Sequence, residues 1–371
     1  MCEKRGRLFC VLHTMAFSLA LAAGIAVIII AIWYLATRKT TTSPNPPPAS
    51  KQYTLYADLS NGGLKPGDNS AMEFFVDNDP THGAVSYGKW DDLVTILPNG
   101  TTVIEAGPAN ATGPHRMVRL TSNKVYNSGL FVMSAFHIPE GMGTWPSFWL
   151  TSLTGTWACN GEIDIIEGVN SADLNSSRNA STLHTNDKPG APPCRSPTVP
   201  GISNGGDCTA GGPGKCGCNS SSICPFNGCG VSLPSTISFG RGFNLAGGGT
   251  YACELTPAGA VTIWFFPRGR EPDDLLADKP NPQNWPTNYR TAFTACPGQF
   301  ADLAIIINTT LCGDWAGNVY PGGMDKCVAD VNSKDLPDAY WSIEYVKVYL
   351  QNSEMGRAAK PAPTPNGPPL R

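Results

Sequence analysis

Three carboxylates stand within six residues of the run Gly161-Glu162-Ile163-Asp164-Ile165-Ile166-Glu167-Gly168. On a helix they would scatter, Asp164 about 200° and Glu167 about 140° from Glu162, and the β-branched isoleucines disfavour that state further. On a strand, Glu162 and Asp164 share one face while Ile163 and Ile165 fill the core behind them. Strict alternation would then turn Glu167 inward, where an unpaired carboxylate is costly. A β-bulge near Ile165 or Ile166 absorbs one residue and returns Glu167 to the face of the other two, so a bulge is expected there. Two carboxyls brought together in this way suit retaining chemistry at an acetal: one attacks the carbon and the other, about 5 to 5.5 Å away, protonates the leaving oxygen. Glu162 would be ionised to attack, Glu167 would hold the proton, and Asp164 between them would hydrogen-bond to Glu162. The competing reading is an acidic edge strand that discourages aggregation. Isoleucines on the back face and glycines at both ends argue against it.

Aromatic residues strengthen the catalytic reading, because the C–H faces of sugar rings stack on indoles. Trp145 and Trp149, in Gly143-Thr144-Trp145-Pro146-Ser147-Phe148-Trp149-Leu150, share one side of an extended segment just upstream of the acids, and a hairpin would bring the two runs together. Trp315 lies in the Gly-rich run Cys312-Gly313-Asp314-Trp315-Ala316-Gly317, a setting that suits a binding platform better than a core. His184, in Thr182-Leu183-His184-Thr185, follows the acids closely enough to border the same cleft.

The elements that must hold these residues are short. Strands are expected over Met117–Leu120, Gly129–Phe136, Glu162–Glu167, Val261–Phe266, Leu303–Asn308 and Trp341–Tyr349, each bounded by Gly, Pro or Asn. In the last, Trp341, Ile343, Tyr345 and Lys347 would share one face and Ser342, Glu344, Val346 and Val348 the other. Forty glycines and 33 prolines in 371 residues favour the same all-β, loop-rich class. A formal net charge of −3 with 15% charged residues leaves no broad basic surface and argues against nucleic acid as a partner.

The chain divides by composition. Residues 1–14 carry Lys4, Arg5 and Arg7 and read as a cytoplasmic segment; Met15–Leu35 is apolar and uncharged, and its 21 residues span about 31 Å as a helix, enough to cross a bilayer. Trp33, Tyr34, Arg38 and Lys39 follow where a cleavage site would need small residues, so an uncleaved anchor is expected, its C-terminal side lumenal or extracellular. Residues 36–51 are Pro- and Thr-rich and read as a stalk, 52–351 as the folded domain, and 352–371 as a disordered Pro-rich tail. Eleven of the thirteen cysteines and all six Asn-x-Ser/Thr sequons (Asn99, Asn110, Asn175, Asn179, Asn219 and Asn308) follow the apolar run, which agrees with that topology. Six cysteines between Cys194 and Cys229 read as a disulfide-stapled insertion; the Cys216-Gly-Cys218 spacing matches no standard zinc pattern, and no metal site is assigned.

The runs WPSFWL, GEIDIIEG, TLHT, CGDWAG and AYWSIEYVKVY, in this order, resemble glycoside hydrolase family 16, in particular its fungal laminarinase-like, endo-1,3(4)-β-glucanase branch. DPTHG at Asp79–Gly83, VRLTSN at Val118–Asn123, FNLAGGGTYAC near Phe243 and IWFFPRG at Ile263–Gly269 fit the same branch. The resemblance implies a concanavalin-like β-jelly-roll sandwich with an open cleft, a retaining mechanism, a β-glucan polysaccharide as partner and no organic cofactor. It implies Glu162 as nucleophile, Asp164 as assisting acid and Glu167 as general acid and base, with Trp145, Trp149 and Trp315 as glucan contacts. Two departures stand out: a cysteine at 159, which leaves an odd ectodomain cysteine count, and Leu255 where an aromatic is expected. A monomeric, membrane-anchored endo-glucanase is the expectation; a wall-remodelling transglycosylase using the same intermediate and a non-catalytic glucan-binding module are the alternatives.

Overall fold

Alternation of large apolar and smaller or polar side chains gives each strand one face for the core and one for another purpose. The computed structural model describes residues 52–109, 113–155, 157–176, 178–186, 188, 190–197, 206–209, 228–356 and 359–362. The expected cytoplasmic segment, membrane span and stalk lie outside them; among the described residues no helix is long and apolar enough to cross a membrane.

The described strands, β1 to β18 in chain order, form two eight-stranded antiparallel sheets and a small parallel pair. The first sheet runs β15 (Arg290–Ala292), β14 (Val261–Pro267), β13 (Gly249–Leu255), β8 (Gly129–His137), β17 (Trp341–Gln351), β5 (Thr102–Ile104), β4 (Val94–Ile96), with β1 (Tyr53–Asp58) also on β17. The second runs β12 (Cys229–Ser232), β11 (Ala180–His184), β10 (Glu162–Glu167), β9 (Thr144–Ser152), β16 (Leu303–Leu311), β7 (Arg119–Tyr126), β18 (Ala359–Pro361), with β2 (Met72–Phe74) also on β7. Strands β3 (Val85–Tyr87) and β6 (His115–Met117) pair in parallel.

The core lies between the two large sheets. Phe131, Met133 and Ala135 of β8 enter it from one side; Phe148 and Leu150 of β9, Ile163 and Ile165 of β10, and Ile305 and Ile307 of β16 enter it from the other. Leu130 and Val132, on the far face of β8, join Trp264 and Phe266 under Leu275 and Trp285 in a second apolar cluster. That face is therefore covered, whereas the far face of the β10-β9-β16-β7 block is left to form the site.

Three expectations are corrected. The strand expected over 117–120 is divided at Val118, between β6 and β7. In β17 the register shifts on both sides of Ile343; Trp341 and Ile343 then share the core with Val346, Val348 and Leu350, while Tyr345 packs on the outer cluster with Tyr349. Part of the tail expected to be disordered is strand β18, paired with β7 from Ala359 opposite Tyr126 to Pro361 opposite Lys124. Cys159 is disulfide-bonded, and among the described residues the free cysteine is Cys253, buried in β13. Burial pushes its thiol well above the ordinary range, so it is inert packing. The insertion is stapled as expected, by Cys194–Cys296 and Cys208–Cys229. Leu255 is a core residue of the first sheet and does not reach the cleft.

Candidate active site

Strands β9 and β10 pair with Glu162 opposite Thr151, Asp164 opposite Trp149, Ile166 opposite Phe148 and Glu167 opposite Ser147. The register shifts between Asp164 and Ile166, so Ile165 is the extra residue of a bulge, where the alternation of acids and isoleucines required one. Ile165 and Ile166 are both in the core. The three carboxylates line one cleft and are 1%, 2% and 7% exposed in chain order.

Carboxylates buried to this degree need donors. Trp157 Nε1 donates to Glu162 Oε2 at 3.0 Å. His184, opposite Glu162 on β11, places Nε2 3.2 Å from Asp164 Oδ2. Trp145 Nε1 and Ser147 Oγ, two successive outward positions of β9, donate to Glu167 Oε1 at 2.9 and 3.3 Å. Each acid thus has partners of its own, drawn from three different segments: the loop that carries Trp157, β11 and β9. One ligand atom each from Glu162, Asp164 and His184 falls within 4.8 Å of the others, so these are the described residues that could together hold a cation.

Beyond the acids, the floor continues across β16 and β7. Asn308 accepts from Trp149 Nε1 at 2.8 Å and donates to the Tyr87 hydroxyl at 3.2 Å, which holds the indole in place. Its sequon, Asn308-Thr309-Thr310, is therefore cleft wall: the Thr310 hydroxyl bonds to Asp79, whose other oxygen accepts from the Thr81 amide at 3.0 Å. The segment carrying Asp79 is fastened to the Trp315 loop by Asp314 N to Thr81 O at 2.9 Å and by a hydrogen bond between His82 Nδ1 and the Asp314 carboxylate at 2.9 Å.

Of the aromatic and histidine candidates, Trp145 and Trp149 line the cleft. Trp315 stands beside it, edge-on to Trp145 at 5.7 Å, and His184 lies behind it against Asp164. The sequence reading missed Asp79, Arg119, Ser147, Asn308 and Thr310, all of which line the cleft, and Trp157. Asp79 and Arg119 lay within the quoted runs DPTHG and VRLTSN, and Asn308 ended an expected strand, but no local pattern marks any of them as facing the acids.

Comparison with known proteins agrees with this geometry. The model of the XgeA-like catalytic domain of glycoside hydrolase family 16 matches residues 72–349. An endo-1,3(4)-β-glucanase of Arthroderma benhamiae is 36% identical over 303 residues, 76% of this chain and 62% of its own length. This chain spans less than two thirds of that relative and of several other curated ones. Laminarinase 16A from Phanerochaete chrysosporium, solved with 6-O-glucosyl-laminaritriose in its donor and acceptor sites, is 33% identical with a TM-score of 0.65, covering 81% of this chain and all of that one. An elongating family 16 β-1,3-glucosyltransferase is 29% identical at the same TM-score, covering 80% and 100%. A chain with this bulged acidic strand, matched by the family model over most of its folded part, belongs to glycoside hydrolase family 16.

Proposed function

We propose that the protein is a retaining endo-glucanase that cleaves internal β-1,3 and mixed β-1,3/1,4 linkages of β-glucan. The observation that carries this reading is the placement of Glu162 and Glu167 on one cleft face by the Ile165 bulge. Glu162 attacks the anomeric carbon as the glycosidic C–O bond breaks, and the departing oxygen takes the proton of Glu167. Glu167, now a carboxylate, takes a proton from water; that oxygen adds to the anomeric carbon and releases Glu162. Asp164, held by His184, sits between them and orients Glu162. Trp145 and Trp149 offer apolar surface to sugar rings, with Trp315 extending it.

Glu162→Gln should keep the fold, followed by circular dichroism and melting, and abolish reducing-sugar release from laminarin and lichenan. Substantial residual activity would overturn the assignment. The likeness to an elongating glucosyltransferase supports a second reading, in which a sugar hydroxyl replaces water. Incubation with an added oligosaccharide acceptor separates the two: longer products mean transfer, shorter products alone mean hydrolysis. For location, the uncharged run Met15–Leu35 supports a membrane-anchored, lumenal or extracellular catalytic domain. Release of the full chain from microsomes by alkaline carbonate would refute it.

A further inference from the structure

The bulge that brings Glu167 into the cleft breaks the backbone ladder in a place water does not reach. Strand β10 pairs with β11 through Glu162–His184, Ile163–Leu183 and Asp164–Thr182, and the ladder stops there. The next polar backbone groups, the Ile165 carbonyl and the Glu167 amide, are met by a side chain. Asn179 Nδ2 donates to Ile165 O at 2.8 Å, and Asn179 Oδ1 accepts from Glu167 N at 2.9 Å. Ser181 Oγ supports the same carbonyl at 3.1 Å and accepts from Asn179 Nδ2 at 3.0 Å. Asn179 and Ser181 are fully buried. The Asn179 backbone is itself pinned, its N–H to Ser238 Oγ at 3.0 Å and its carbonyl to Leu233 N at 2.9 Å.

A carboxamide offers a donor and an acceptor side by side, as a peptide group does. An ionised Asp here would keep the acceptor and lose the donor, and Ala would leave a buried N–H without a partner. The same two side chains form the sequon Asn179-Ala180-Ser181. We infer that Asn179 is a positioning residue that closes the β10 bulge and sets Glu167 against Glu162, and that this sequon serves the clamp and stays unglycosylated. The inference rests on Glu167 as the proton donor. A glycan on Nδ2 has no room at a fully buried site, whereas Asn99 and Asn175 are exposed.

The test uses the full chain from a eukaryotic secretory host, with Asn179→Ala, the isosteric Asn179→Asp and Ser181→Ala. Folded Asn179 variants should lose about 10²-fold in kcat on laminarin, the scale of a small misplacement of a reacting group, while KM stays near the wild-type value. Exchange of the Glu167 amide should be about tenfold faster in Asn179→Ala, as for one lost hydrogen bond, whereas Asn179→Asp keeps that acceptor, loses the donor to Ile165 O and reports through kcat. Ser181→Ala, which removes the second donor to Ile165 O, should lower kcat in the same direction but more weakly. If Asn179→Ala does not fold, Asn179→Asp, which keeps the volume, carries the test. Unchanged kcat in folded Asn179→Asp, or unchanged kcat and Glu167 exchange in folded Asn179→Ala, overturns the clamp, as does a rise in KM with kcat preserved. A glycan found on Asn179 by peptide mapping overturns it as well. If the wild type turns over no β-glucan, the functional reading has failed, and amide exchange with glycan mapping decides the clamp.

Discussion

The guanidinium carbon of Arg119 lies 5.1 Å from the ring centroid of Trp149 and 4.4 Å from that of Phe75. Arg119 is 4% exposed, so this contact fixes part of the cleft floor and holds Trp149 together with its bond to Asn308. A planar cation stacks where a compact ammonium does not. Arg119→Lys should therefore raise KM for laminarin severalfold with kcat largely kept, and lower stability by about 0.5–2 kcal/mol. Unaltered KM and melting temperature would show that the stack holds nothing.

Trp145 serves Glu167 in two ways, as hydrogen-bond donor and as wall. Trp145→Phe keeps most of the apolar surface and deletes the donor, leaving Glu167 with Ser147 at 3.3 Å. The expected loss is about 1.5–3 kcal/mol of transition-state stabilisation, read in kcat/KM, as for a hydrogen bond to a charged group. A variant as active as wild type would assign Trp145 to packing alone.

The Cys312–Cys327 disulfide closes a stretch of 15 residues that contains Asp314 and Trp315. Replacing both cysteines with alanine should cost about 3 kcal/mol by the loop-entropy argument and raise KM, because the Trp315 loop then loses its covalent tie to the helix Gly323–Asn332. Cys253→Ala, at the free buried thiol, should leave the response to reductant unchanged. Melting with and without dithiothreitol checks both.

On the covered face, burial pushes the Asp278 carboxyl up, but hydrogen bonds from Lys347 and Tyr349 outweigh it and hold the group below the usual carboxylate range. A folded value below the unfolded one means that the contribution is complete above about pH 4 and is lost as pH falls through the folded value. With Asp278 partly exposed, Asp278→Asn should cost only about 0.5–1 kcal/mol near neutrality. The melting difference from wild type should close on acidification; a gap that is constant down to pH ~2 would place its origin outside ionisation.

Strand Glu162–Glu167, its bulge and the convergence of its acids with Trp145 and Trp149 were legible in the linear chain. Side-chain alternation is a local property, and the isoleucines allow the three acids only one arrangement without burying Glu167 alone. The same reasoning failed in β17, where alternation was read straight through. Its bulge is imposed by pairing with β8, which no residue of β17 announces. Cys159 and Cys253 could not be told apart by spacing, because a disulfide depends on which loops meet.

The sequence by itself therefore determined the chemistry, the strand that carries it and the family, since each rests on residues that are neighbours in the chain. The tertiary structure alone decided what surrounds that chemistry: Asn308, Thr310 and Asp79 across the sheet, His184 at Asp164, Trp157 at Glu162, and the Asn179 clamp. The order β11-β10-β9-β16-β7 sets these contacts. They join residues as far as 231 positions apart, and such pairings follow from how two sheets close over a shared core and not from any local period.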